Sequence, residues 1–330
     1  MDNLTAAILV FLASSVCVVF AGIGLARYGD ELAEKTGWGT LWVGTILVSI
    51  ATSLPELTVN ISAVWLEDSP GLALGNVFGA NMLNVVVLGA VALMFGVSNL
   101  FAKQGRDTEI LVLVGIGLVA LAVVMSVSGD LKLGPTSLGG LLILLAYLTG
   151  MRAVYRAGRT EMHVGDIPKP TGSARNAWIG FGISALVVIV AGRYLAASAD
   201  SIAELTGIGA SFVGVLFVAF VTTLPEGSVT VAASFRKSYG IVVGNVYGSC
   251  AFNVAIFFFS DLFYAKGPLL GAMESAHFAA AAAAFALMGM GYLIIRSCQS
   301  PALAWARMLT PALPVVYVGA LYLVFTLAQR

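Results

Sequence analysis

Charge is scarce in this sequence: Asp, Glu, Lys and Arg together make up 10% of the 330 residues. A soluble domain carries about 25%. The two signs balance at 17 each, so neither a basic nucleic-acid face nor a polybasic tail is present, and nucleic acid is excluded as a partner. Histidine is limited to His163 and His277, and cysteine to Cys17, Cys250 and Cys298 at unrelated spacings. That set supports neither a zinc or copper centre nor a disulfide framework. No nucleophile–base pair or cofactor motif stands out, so an enzyme is not expected, nor a resident cofactor. The two histidines lie in or near loops and are expected at the surface. A basic leader followed by a small-residue cleavage site is also missing. The first apolar run continues to about Leu25 and reads as a span.

What is abundant is apolar sequence. Hydrophobic residues make up 59% of the chain, gathered in continuous runs long enough to cross a bilayer, for which about 20 residues suffice. Ten spans are expected, at 4–26, 40–65, 70–96, 109–128, 136–156, 176–198, 210–235, 239–263, 277–297 and 308–328. The fold class is an all-α membrane protein. The longest connection, 157–175, carries Gly158, Pro168, Pro170 and Gly172 and reads as a linker. With the N-terminus outside, 13 of the 17 Lys and Arg fall on cytoplasmic connections, and Lys132, Arg193, Lys266 and Arg330 fall on the other side. Cytoplasmic connections are the ones enriched in Lys and Arg. Both termini are therefore expected on the outer side of a plasma (inner) membrane, a prokaryotic one by its short loops.

The chain repeats itself at an offset of 170. Asp30, Glu34, Gly37 and Gly44 fall on Asp200, Glu204, Gly207 and Gly214; Thr52-Ser53-Leu54-Pro55-Glu56 falls on Thr222-Thr223-Leu224-Pro225-Glu226. After one deletion, Gly75-Asn76-Val77 matches Gly244-Asn245-Val246, and Asn84 matches Asn253. The expected units are 1–156 and 176–330, five spans each. An odd count inverts the second copy, the arrangement of many secondary transporters.

Two acids lie deep in apolar spans, Glu56 and Glu226, at equivalent positions. A carboxylate at that depth is costly unless it is protonated, paired or coordinated, and no Lys or Arg accompanies either. A cation is the expected partner; neutral, hydrogen-bonded Glu side chains fixing helix packing are the alternative. Pro55 and Pro225 each remove a backbone donor and free a carbonyl one turn back, so helices 2 and 7 are expected to be discontinuous around a midplane ion site. Thr52 and Thr222, four residues before each Glu, share its helix face. Asn76 and Asn245 are expected to bridge helices or ligate; Asn84 and Asn253, deeper in, are expected to ligate. The candidate metal ligands are Glu56, Glu226, Thr52, Thr222, Ser53, Thr223, Asn84, Asn253 and Ser249. All offer hard oxygen donors, which suit Ca²⁺ or Na⁺. Two negative charges balance one Ca²⁺ or two monovalent ions, and a site that holds either set but not both is an exchanger.

The segments ATSLPEL (51–57) with GNVFGANMLN (75–84), and VTTLPEG (221–227) with GNVYGSCAFN (244–253), resemble the two alpha-repeats of the calcium/cation antiporter superfamily, in its sodium/calcium exchanger branch. The resemblance covers essentially the whole chain. It implies four ion sites between spans 2, 3, 7 and 8: Ca²⁺ held by Glu56 and Glu226 with Thr52 and Thr222, Na⁺ assisted by Ser53, Thr223 and Ser249, and Asn84 and Asn253 at the middle position. It also implies that spans 1 and 6 slide to switch access, and that one monomer suffices. The chain departs from the pattern at Ala51 and Val221, which stand for a glycine, at Ala80, which stands for a serine, and at Cys250, which stands for an asparagine. Two Asn rather than an Asp at the deep amide positions point away from the K⁺-dependent branch. The expected function is Na⁺/Ca²⁺ antiport by alternating access. H⁺-coupled exchange of Ca²⁺ or another divalent cation is the alternative, and a cation channel or ion sensor is the reading from another class.

Overall fold

The computed structural model describes residues 3–36, 50–159 and 174–329. The described residues are mostly helical: α1 (Leu4–Thr36), α2 (Leu54–Trp65), α3 (Pro70–Phe95), α4 (Val97–Phe101), α5 (Arg106–Ser128), α6 (Leu138–Arg159), α7 (Arg175–Thr206), α8 (Ala210–Phe235), α9 (Tyr239–Asp261), α10 (Ser275–Ser297) and α11 (Leu313–Ala328). Nine helices among the described residues are long and apolar enough to cross a membrane. The second expected span, 40–65, is described only from residue 50 onward, and most of the 157–175 linker also lies outside the described residues.

Local chemistry accounts for the ends. Gly129 and Gly207 close α5 and α7 with positive φ, a left-handed conformation that costs glycine little. The final span begins as a 3-10 helix, Pro301–Ala312. Pro311, inside it, and Pro314, just after it, withhold N–H groups that an α-helix continuous through this stretch would need. One departure from all-helix is the two-residue antiparallel hairpin β1 (Lys132–Leu133) and β2 (Thr136–Ser137) between α5 and α6.

The helices form an inner set and an outer set. An 18-residue stretch of α9 is 89% buried and one of α3 67%, whereas those of α1 and α7 are 28% buried, and these two helices pack side by side. In a bilayer the drive for such packing is close contact rather than water exclusion, so small residues sit where helices cross. Gly75 and Gly79 of α3 lie on α8, and a Cβ at Gly79 would collide with the Val215 carbonyl oxygen. In return, a Cβ at Gly214 would collide with the Leu72 carbonyl. Gly22 of α1 rests on Pro225, with Pro55 beside it, and its counterpart in the second repeat, Gly192 of α7, rests on Thr58. Both outer helices thus touch the motif segments through a glycine.

Candidate functional site

The expected break in span 2 occurs at Ser53. Residues 50–52 are helical, Ser53 turns, and α2 begins at Leu54 with Pro55 in its first turn, where a missing N–H costs nothing. Ser53 occupies the N-cap position, yet its hydroxyl makes no cap bond; it donates instead to Glu226 Oε1 of the other half, 3.0 Å away. Glu56 lies in the same first turn, where the helix dipole favours an anion. Span 7 handles its proline differently. α8 stays helical through Pro225 and takes up its irregularity earlier, as a π-turn at Gly214–Val218. Such turns are rare and recur at functional sites.

Thr52, Ser53, Glu56, Thr222, Thr223, Glu226, Ser249, Asn84 and Asn253 are all fully buried or within 1% of it. The structure brings Thr52, Ser53, Glu56, Thr222, Glu226 and Ser249 together from α2, α8, α9 and the segment just before α2; Asn253 of α9 meets Asn81 of α3 instead. Glu56 lies within electrostatic reach of Glu226 and faces Thr222, while Glu226 faces Ser53, Thr52 and Ser249. Thr52 Oγ1 is 3.5 Å from Ser249 Oγ. The equivalent hydroxyl on α3 is absent because residue 80 is alanine, and Thr222 turns instead to Asn76 Oδ1 at 3.2 Å. The loss of one hydroxyl therefore makes the two halves of the site unequal.

The shallower amides bridge helices, and they do so symmetrically. Asn76 Nδ2 donates to Asn60 Oδ1 at 2.7 Å, and Asn245 Nδ2 donates to Thr230 Oγ1 at 3.2 Å and to the Glu226 carbonyl at 3.2 Å. The deep amides are different. Among the described residues both polar atoms of Asn84 are buried without a hydrogen-bond partner, and Asn253 uses only its amide nitrogen, on Asn81 Oδ1 at 3.2 Å. Asn81 Nδ2 donates to the Cys250 carbonyl at 3.1 Å, while Cys250 Sγ approaches the Asn81 carbonyl at 3.9 Å. Asn81 and Cys250 are repeat equivalents, so this reciprocal pair marks where the two halves meet.

Nine buried oxygens on these helices lack a hydrogen-bond partner among the described residues: both of Glu56, Glu226 Oε2, the hydroxyls of Thr223, Tyr247 and Ser260, and the amide oxygens of Asn84, Asn245 and Asn253. An unsatisfied buried polar atom costs about 1–3 kcal/mol and more if charged. Oxygens collected without donors are the chemistry of a hard-cation site. Among the described residues no three of His, Cys, Asp and Glu come together; an ion placed here would meet the two carboxylates and neutral oxygens.

Three residues of this cluster were not singled out from the sequence: Asn60, Asn81 and Thr230. Asn60 and Thr230 follow the two glutamates by four residues and are repeat equivalents, a signal the offset of 170 carries. The surface expectation for His277 is overturned. It is fully buried, its Nδ1 accepting from the Glu274 N–H at 2.9 Å and its Nε2 lying 3.0 Å from the Gly71 carbonyl, so it ties α10 to the start of α3. His163 lies outside the described residues. Asp261 is buried away from these residues: it accepts from the Thr136 hydroxyl of the hairpin and from the Leu269 N–H.

Comparison with known proteins agrees with this architecture. The family model described as sodium/calcium exchanger protein matches residues 6–155 and 176–329. Inner membrane protein YrbG of Escherichia coli is 28% identical over 242 residues, covering 72% of this chain and 74% of that protein. Sodium/calcium exchanger MaX1 of Methanosarcina acetivorans is 26% identical over 302 residues, 79% of this chain and 84% of its own. The solved structure of the sodium-calcium exchanger NCX_Mj superposes with a TM-score of 0.63 at 20% identity, covering 97% of this chain and 99% of that one, which shows a shared fold. The chain is an integral, multi-pass membrane protein with two inverted repeats, and it belongs to the sodium/calcium exchanger family.

Proposed function

We propose that this protein is a secondary antiporter that exchanges Na⁺ for Ca²⁺ by alternating access, with Glu56 and Glu226 as the shared charge of the site. One observation carries the reading: two buried carboxylates, one from each inverted repeat, converge with unsatisfied neutral oxygens and, among the described residues, no basic side chain. One Ca²⁺ or two Na⁺ would neutralise the pair, and their mutual exclusion is the coupling. Thr52 and Thr222 complete the Ca²⁺ shell in this scheme. Ser53, Thr223 and Ser249 offer hydroxyls to Na⁺, and Asn84 and Asn253 supply the middle position. The ions are cargo, no resident cofactor is invoked, and because one chain supplies every ligand a monomer suffices. Repeats 1–156 and 176–330, joined by a cytoplasmic linker at 157–175, would place both termini outside an inner membrane. The Lys and Arg distribution supports that orientation.

The test is ⁴⁵Ca²⁺ uptake into proteoliposomes loaded with Na⁺, against Na⁺-free and pH-gradient controls, with Glu56→Gln alongside. Outward Na⁺ should drive saturable uptake, and Glu56→Gln should abolish it. Uptake driven only by a pH gradient would replace Na⁺ by H⁺ as the coupling ion. Uptake with no counter-ion dependence would make the protein a channel.

A further inference from the structure

α5 and α6 are packed neighbours joined by the hairpin β1–β2. The first turn of α5 and the last turns of α6 therefore end at the same membrane face. Between them lies a groove of about 670 Å³. Arg106, the first residue of α5, and Arg152 and Arg156, one turn apart on α6, line it over a small apolar floor of Ile110, Ala153 and Ala157. All three arginines are exposed. Among the described residues no carboxylate lines the groove: Asp107 follows Arg106 in the chain but is not part of it, and Glu109 is engaged by Arg296 at 2.6 Å. Arg106 and Arg152 are in none of the ion pairs among the described residues.

The same two helix faces change character with depth. On α5 the stripe Arg106, Ile110, Leu113 follows helical spacing, and on α6 so does Leu145, Leu148, Arg152, Arg156. Leu113, Leu145 and Leu148 are 49%, 56% and 53% exposed. Each stripe thus runs from guanidinium at the membrane surface to exposed leucine toward its centre, the profile of a phospholipid with its headgroup in the groove. We propose that this groove binds the phosphate of an anionic glycerophospholipid, its acyl chains lying along the leucine stripes. Guanidinium matches phosphate bidentately, and basic clusters at the ends of spans are suited to anionic headgroups.

The test is the melting temperature of the purified full chain in detergent, titrated with phosphatidylglycerol, with phosphatidylcholine of the same chain length, and with inorganic phosphate. Phosphatidylglycerol alone should raise it. Arg106→Gln/Arg152→Gln should need roughly 30-fold more lipid for the same rise, since each arginine near an anionic headgroup contributes roughly fivefold in affinity. Arg236→Gln, at another loop, should respond as wild type. Should the double Gln variant fail to fold, Arg106→Lys/Arg152→Lys retains charge without the fork and should lose part of the response. An equal rise with phosphatidylcholine would reduce the site to its apolar stripe, and an equal rise with inorganic phosphate would make it a small-anion site; either overturns the proposal. So would a lipid response unchanged in both double variants.

Discussion

Glu56 and Glu226 are equivalent in sequence and unequal in surroundings. Glu226 receives the Ser53 hydroxyl, while both Glu56 oxygens have no donor among the described residues. Removing the charge of either should abolish exchange, because a single carboxylate cannot neutralise Ca²⁺. Ser53→Ala should be milder: it deletes one hydroxyl-to-carboxylate hydrogen bond, worth about 1.5–3 kcal/mol, and leaves both charges in place. Uptake assays at varied Ca²⁺ would show the difference as lost flux for Glu56→Gln and Glu226→Gln against a shifted half-saturation for Ser53→Ala. Ala80 is the complementary case. Ala80→Ser would restore the hydroxyl that its counterpart Ser249 offers to Thr52, competing with Asn76 for Thr222. The expected outcome is a lower half-saturating Na⁺ concentration in Na⁺-driven uptake. An unchanged Na⁺ dependence would remove Ala80 as the cause of the asymmetry.

Among the helices, the site depends on how closely α3 and α8 approach. Gly79 faces the Val215 carbonyl and Cα, which belong to backbone and cannot move aside. Gly79→Val should therefore destabilise the protein by about 1–3 kcal/mol, the usual cost of overpacking, and lower the melting temperature with or without Ca²⁺. Gly22 is a different contact, because its neighbour is the ring of Pro225 on an outer helix crossing. Gly22→Val should push α1 off the Pro225 ring and slow transport more than it weakens ion binding. Comparing Ca²⁺ binding with ⁴⁵Ca²⁺ flux in one variant separates those effects; a parallel loss of both would place Gly22 in the binding framework instead.

Over the full length of the chain, the halves meet through the buried polar cluster at the centre and are fastened by staples at one end. Lys132 donates to the carbonyls of Tyr264 and Gly267 at 2.9 Å each and lies 3.6 Å from Asp261 Oδ1, fastening the hairpin of the first half to the loop after α9. Lys266 continues the chain of contacts to Asp68, after α2. Lys132→Met leaves the buried Asp261 carboxylate without its cation. The expected cost is on the order of 2–3 kcal/mol, below that of a fully buried pair, because Lys132 itself is partly exposed. A melting curve would register it. A cation shared by both repeats should also stabilise their assembly: Ca²⁺ at 100 times its dissociation constant is worth about 2.7 kcal/mol. Chelation should therefore lower the melting temperature of the wild type but not of Glu56→Gln.

Much of this was legible from the residues alone. The length and apolarity of the runs place the chain in a membrane, since a bilayer core tolerates little else. The offset of 170 yields two related halves, and five spans per half make the second inverted. Two deep carboxylates with no basic neighbour call for a cation beside them. None of these inferences depends on which atoms touch. The remaining features do depend on it. Pro55 starts a helix whereas Pro225 is carried inside one, because a kink's outcome depends on the neighbours that absorb the freed groups. Asn76 and Asn245 bridge while Asn84 does not, although all are Asn in apolar helices; the difference lies in whether Asn60 or Thr230 stands opposite. His277 was expected at the surface because its segment borders a loop, and it is buried because both ring nitrogens find backbone partners there. The missing hydroxyl at Ala80 is written in the sequence, but the unequal hydrogen bonding of the two glutamates is not: Ser53 donates to Glu226 while its repeat counterpart Thr223 leaves Glu56 without a donor among the described residues, a direction that three-dimensional packing decides.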